Sequence, residues 1–323
     1  MQKVISLCLL AFALGCSESE SAPFTWTEVT PCPVPRFEAS GVVVKGELWV
    51  MGGFLSSMLD VTKRVDIYNP GTDQWRLGPE LPGAETHMGV VSVNDGFVLV
   101  GGFQGNVLDR ITTAGVWRFQ TANSAWKSEP DLPTPRAAVF AALVDGTVHA
   151  AGGLAADGNT DAREHLVWDA AGSGTAWSAA EPLANPRNHG GGAAARGLFF
   201  AVSGRHGWDE VGGDDPALDA FDPATDSWTS RAPMPVPRSE IGAATVTMSD
   251  GRLLIVGGSI PGKQPSADVL VYDPSQDRWS TLPSLPLPLK GVVAARIGAK
   301  VIVTTGSPTS TDPSDKTFIG CCL

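Results

Sequence analysis

The sequence predicts an all-β fold, a six-bladed β-propeller with four antiparallel strands in each blade. Three observations predict it. Tryptophans recur at Trp26, Trp75, Trp126, Trp177, Trp228 and Trp279, at intervals of 49, 51, 51, 51 and 51 residues. A glycine pair, or its remnant, follows each one: Gly52-Gly53, Gly101-Gly102, Gly152-Gly153, Ser203-Gly204, Gly257-Gly258 and Thr305-Gly306. Between these marks the residues alternate apolar and polar, as in Val42–Val44, Leu48–Met51, Val65–Tyr68 and Gln74–Leu77. A fixed period near 50 residues marks a repeat array, and period-two alternation bounded by Gly, Asn-Pro and Asp marks short strands. One such sheet cannot bury both its faces, whereas six packed radially can.

Each element has a physical reason. A glycine pair at the end of the second strand lets the chain turn where a Cβ would clash or φ must be positive. The tryptophan supplies a large apolar body to pack between neighbouring sheets. Phe24 to Val29 carries Trp26 with no blade before it, and Lys316 to Cys321 fills a third-strand slot with no tryptophan after it. The two ends are therefore expected to complete blade six together, which removes open sheet edges. Blades one to five then run from Pro35-Arg36 to Trp75, Leu81-Pro82 to Trp126, Pro135-Arg136 to Trp177, Pro186-Arg187 to Trp228 and Pro237-Arg238 to Trp279. Blade two carries Ala84-Glu85 in place of Pro-Arg, and blade six carries Pro288-Leu289-Lys290. The recurring arginines read as structural. Blade five has three extra residues, expected in the hairpin turn from Thr247 to Gly251.

Glycine pair, Tyr-Asp-Pro and tryptophan at this spacing resemble the kelch family of propellers, over about Phe24 to Leu323. The resemblance implies the fold. It leaves function open, since kelch propellers include binding modules and enzymes.

Composition narrows the partners. Lys+Arg number 23 against 34 Asp+Glu, a net charge of −11 with no basic cluster, so nucleic acid is not an expected partner. Residues 1–15 read as an export signal, with Lys3 ahead of an apolar run, Val4 to Leu14, too short to span a bilayer. Ala13-Leu14-Gly15-Cys16 resembles the bacterial lipoprotein cleavage box, which implies lipidation at Cys16, with simple secretion as the alternative. Ser17 after that cysteine resembles an outer-membrane sorting signal, either face of that membrane being open. Residues 16–23 become a tether, and 24–323 a propeller anchored to the membrane rather than spanning it, expected as a monomer. Cys8 leaves with the signal, and Cys32, Cys321 and Cys322 remain. Cys32 lies at the far end of the outermost strand from Cys321, about 20 Å away by strand rise, too far for a disulfide. It is expected to be a small buried apolar residue.

Strand one of each blade starts after the Pro-Arg slot and strand two ends at the glycine pair, so both points share a rim. The candidate binding residues gather there: Glu38, His87, Asn188, His189, Arg205, His206, Trp208 and Glu240. His165 also falls near this rim, whereas His149 reads as structural. His87, His189 and His206 with Glu38 or Glu240 offer metal-ligand types but no short ligand spacing, so no metal or other cofactor is expected. The kelch resemblance raises two enzymatic readings. A copper radical oxidase of galactose needs pocket tyrosines, and Tyr68 and Tyr272 occupy an outer slot. A sugar epimerase or mutarotase resembling N-acetylneuraminate epimerase would use His189, His206, Glu38 and Glu240 as acid and base, with Arg205 on the sugar carboxylate. The leading expectation is a binding module for a glycan or an envelope protein, with no catalytic residue assigned.

Overall fold

The computed structural model describes residues 23–106, 108–171, 174–208 and 213–321. Residues 1–22, which contain the expected signal, Cys16 and most of the tether, lie outside the described residues, as does Cys322.

Blade one is built from Ser40–Val44, Glu47–Met51, Val65–Asn69 and Gln74–Leu77, paired in sequence order and antiparallel throughout. Blades two to five repeat this order over Gly89–Val93 to Ala125–Ser128, Phe140–Val144 to Ser178–Ala180, Gly191–Ala195 to Ser227–Arg231, and Thr245–Thr247 to Arg278–Leu282. Blade six joins Val293–Ile297, Lys300–Thr304 and Thr317–Cys321 to the N-terminal strand Thr25–Val29. The two ends pair as expected, with Trp26 opposite Gly320, Thr27 opposite Ile319 and Glu28 opposite Phe318. The innermost strands touch one another in cyclic order, blade six against blade one included, so the ring is shut.

Alternation explains the packing. Ser40–Val44 buries every second residue, and the second and third strands, enclosed on both faces, are buried almost throughout. Large side chains such as Phe97, Phe119, Phe199, Tyr68 and Tyr272 fill the wedges between blades. At the hub there is no room to spare. A Cβ on Gly52 would stand 2.2 Å from the Glu85 carbonyl oxygen, and one on Gly192 would stand 2.3 Å from the Ala141 nitrogen.

Around the outside, the repeat tryptophans do more than fill space. Each indole N–H donates to a backbone carbonyl in the link that follows the preceding tryptophan strand: Trp75 to Thr30, Trp126 to Glu80, Trp177 to Pro130, Trp228 to Glu181, Trp279 to Ala232 and Trp26 to Pro283, at 2.8 to 3.0 Å. Six such bonds tie each blade to its neighbour.

The Pro-Arg arginines are buried to within 1% and act as posts. Each guanidinium reaches a carboxylate at or just before the third strand: Arg36 to Asp66 at 2.6 Å, Arg136 to Glu164 at 3.1 Å, Arg187 to Asp219 at 2.8 Å and Arg238 to Asp268 at 2.6 Å. Arg187 also donates to the carbonyls of Ser203, Ala201 and Ala217. In blade two the slot holds Glu85, buried and bonded to the Gln104 amide, and burial raises its pKa.

Three sequence-based expectations meet the structure here. Cys32 is free and 2% exposed, its amide bonded to the Asp315 carbonyl, while Cys321 is disulfide-bonded but not to it. His165 opens the third strand of blade three opposite Ala151, near the rim as expected, but it is fully buried and takes no part in lining the cavity, with Nε2 2.9 Å from His149 Nδ1. The blade-five insertion is corrected. Thr245 pairs with Ile255, and the turn at Ser249, Asp250 and Gly251 is only one residue longer than Lys45-Gly46 in blade one. The rest of the insertion forms a 3₁₀ turn, Gly242–Ala244, ahead of the first strand. Its short side chains let it lie in the channel, where Gly242 and Ala243 line the cavities on either side of it.

Candidate functional site: the channel mouth

The residue just after the Pro-Arg slot bridges to the residue after the glycine pair in blades one to five: Phe37 to Phe54, Thr86 to Phe103, Ala137 to Leu154, Asn188 to Arg205 and Ser239 to Ser259. Lys290 bridges to Ser307 in blade six. These bridges put both segments on one rim, as the sequence implied. The next residue in each blade turns the chain into the channel with a left-handed backbone: Glu38 (φ 52°), His87 (56°), Ala138 (51°), His189 (54°), Glu240 (58°) and Gly291 (57°). Five of the six are not glycine, although the conformation costs an L-residue about 1–2 kcal/mol. Strain retained this consistently belongs where side chains are aimed at a purpose.

Those side chains converge on a cavity of about 50 Å³, lined by Glu38, His87, His189 and Glu240 and by apolar groups from Ala39, Met88, Val139 and Val292. His87 Nε2 lies 2.9 Å from Glu38 Oε2, and its Nδ1 lies 3.1 Å from the Thr86 hydroxyl, which itself donates to the Glu38 carbonyl. Burial works to raise the Glu38 pKa, but His87, Lys290 and Arg205 outweigh it and hold the carboxyl at about 2. Across the mouth, Glu240 is flanked by Arg205 and Lys290, each 3.5 Å away. Burial, together with the Glu38 charge, pushes Glu240 upward. The His87 and His189 rings stand edge to face at 4.7 Å. Burial first, then Arg205 and His87, hold His189 well below the ordinary imidazole range, so it is neutral.

The eight predicted residues therefore separate. Glu38, His87, His189 and Glu240 line the cavity, Asn188 stands behind His189, and Arg205 stands beside Glu240. Trp208 roofs the blade-four side, 6.1 Å from the His189 ring, with the Arg205 guanidinium 5.7 Å from its own ring. His206 does not join them. It is a third exposed and held by Asp215 at 2.7 Å, the Pro186 carbonyl and Asp161, so the trio His87, His189 and His206 does not assemble. Among the described residues, no three His, Cys, Asp or Glu side chains converge to hold a metal.

Two participants escaped the sequence reading. Asp161 accepts hydrogen bonds from the Asn188 amide and the Gly207 amide nitrogen, so a blade-three loop orients blade four. Arg110, from the blade-two loop, lies 3.5 Å over Trp208 and 4.4 Å over Phe103. Asp161 occupies the position that Val61 and Asp214 hold in their blades, bridging back to the residue after the glycine pair. That repeat position was the available signal.

The arrangement defines a class, a closed propeller with one buried, electrostatically mixed mouth. The Kelch motif family matches residues 35–82 and 242–286, which are blade one and the greater part of blade five. Over 94% of its length the chain is 28% identical to the Kelch-like protein terF of Aspergillus terreus, of which it covers 71%. Kelch-like protein 34 of Homo sapiens is 27% identical over 80% of the chain, and Kelch-like protein 25 of Xenopus tropicalis 27% over 58%. The chain spans 40% and 32% of those two proteins. Its fold is a six-bladed β-propeller of the kelch type, and its sequence is similar to these Kelch-like proteins. None of these relatives is an epimerase, so the sugar-epimerase reading draws no support from them.

Proposed function

We propose that this chain is a binding module that engages a protein partner across the channel-mouth face, from an exported, monomeric propeller lipid-anchored through Cys16. One observation carries the choice of face. Among the described residues, the large exposed hydrophobics, Met58, Leu108, Ile111, Val236 and Leu77, all lie at the mouth end, in loops between strands two and three, in an interblade link, or where a fourth strand ends. The opposite end is made of short polar hairpin turns such as Lys45-Gly46, Asp145-Gly146 and Arg196-Gly197. Apolar side chains gathered at one face around a rigid opening favour a protein surface. Kelch-repeat proteins generally bind protein partners, which supports the same reading. Export and anchoring rest on the residues around Cys16 alone.

The test uses the full chain with Met58→Asp and Ile111→Asp combined, against a control with Lys45→Asp at the opposite end. Cross-linking on intact cells should yield a protein adduct that the mouth variant loses and the control keeps. Equal adducts from both would refute the face, and a glycan-array signal without any protein adduct would replace the partner class. Labelling with a palmitate analogue should depend on Cys16, and unlabelled soluble protein would overturn the anchor.

A further inference from the structure

Three hydrogen bonds fix a proton position inside the mouth. The Asn188 Nδ2 amine donates to the Asp161 carboxylate and to the Gly207 carbonyl at 3.1 Å, neither of which can donate in return. The amide is thereby oriented with its oxygen toward His189 Nδ1, and that oxygen only accepts. His189 Nδ1 therefore carries the ring proton, and the neutral ring leaves Nε2 as a bare lone pair. His189 is 3% exposed, and Nε2 has no hydrogen-bond partner. Glu240, 9% exposed, likewise has an Oε2 without a hydrogen bond, since Lys290 at 3.5 Å pairs with it electrostatically but stands too far off to donate well. Both residues line the same cavity.

Two buried acceptors without donors are costly unless something supplies the protons. The surroundings restrict what that is. A cationic donor would meet Arg205 and Lys290 beside Glu240, and an anion would meet Glu38, Glu240 and the imidazole lone pair. The cavity holds only a few water-sized groups, and its remaining lining is apolar. We propose that the channel mouth is a subsite for a neutral hydrogen-bond donor, a primary carboxamide or a hydroxyl on a short apolar stem, received by His189 Nε2 and Glu240 Oε2. The 3₁₀ turn Gly242–Ala244 forms its floor, so the group arrives from the mouth side. This deepens the binding role proposed above and rests on it for the source of the group, either a partner's Asn, Gln, Ser or Thr side chain or a free small molecule.

Acetamide is the probe, titrated into the full chain while the ring nitrogens of His189 are followed by nitrogen NMR. The free protein should show Nε2 unprotonated and Nδ1 protonated, and acetamide should shift Nε2. Acetate and methylammonium should bind about tenfold more weakly or worse. His189→Ala and Glu240→Gln should each weaken acetamide by about tenfold, followed on backbone amides. Alanine suits the left-handed position, as Ala138 shows at φ 51°, and Gln keeps the shape of Glu, so folding is preserved in at least one variant. A protonated Nε2, equal binding of the charged probes, or unchanged affinity in a folded Glu240→Gln protein would each overturn the proposal. Loss of acetamide competition when the partner is added assigns the subsite to a free molecule, and competition assigns it to the partner's side chain. The mouth-face cross-link is read separately, so it survives if only the subsite fails.

Discussion

Arg36, Arg136, Arg187 and Arg238 sit on the same rim as Glu38, Ala138, His189 and Glu240, two residues further along each repeat. Both sets are largely buried, yet they differ in how they are satisfied. The arginines repeat one residue type, and each is paired with a carboxylate inside its own blade. The second ring changes residue from blade to blade, pairs across blades, and leaves acceptors without donors. A group whose partners lie within its own repeat is holding the repeat together. A group whose partners come from other repeats is facing something its own repeat does not contain.

Mutations should break along that line. Arg187→Ala strips a buried ion pair and three carbonyl contacts, and should cost about 3–5 kcal/mol in urea denaturation. Glu240→Gln in the second ring should cost less, because burial and the Glu38 charge already work against its ionised form and Gln keeps its shape. Equal losses would erase the distinction between the rings.

Acid sharpens it next. His149 is held at about 4 and His165 at about 3, chiefly by burial, and His189 also lies below 6.5. As pH falls below 6.5 the unfolded chain takes up protons that the folded one refuses. Stability is therefore full above 6.5 and is lost toward pH 4, at about 1.4 kcal/mol per unit for each imidazole. Replacing His149 and His165 together by Phe should flatten most of that slope, and His189→Ala less of it. A thermal midpoint constant from pH 7 to 5 would contradict the burial of all three. Smaller still, Trp279→Phe removes one indole bond to Ala232 and should cost about 1 kcal/mol. At the bottom of the scale, Met58→Asp should change stability by less than about 0.5 kcal/mol while reducing capture of the partner.

Much of the fold was legible because periodicity reports it directly. Tryptophan spacing, glycine pairs and an unpaired strand at each end give six blades and their closure without any long-range information. The rim residues were also legible, since antiparallel geometry brings Asn188 and Arg205 together once strand order is known. What sequence could not reveal was direction and partnership. His206 follows Arg205 by one residue, yet it turns toward Asp215 and Asp161 and away from the cavity. Asp161 acts on a neighbouring blade, so its repeat position, shared with Val61 and Asp214, marks the residue but not the partner it reaches. The blade-five insertion looked like a longer hairpin because length alone does not say at which end of a strand the extra residues leave it.

The fourth strand of each blade runs toward the mouth, and the strand beginning at Thr25 is one of them. Thr25 and Cys321 therefore stand side by side at the base of the ring, on the side remote from the opening. If the proposed anchor at Cys16 holds, it would grip the ring on that side like a cup by its foot and leave the brim turned outward for a partner.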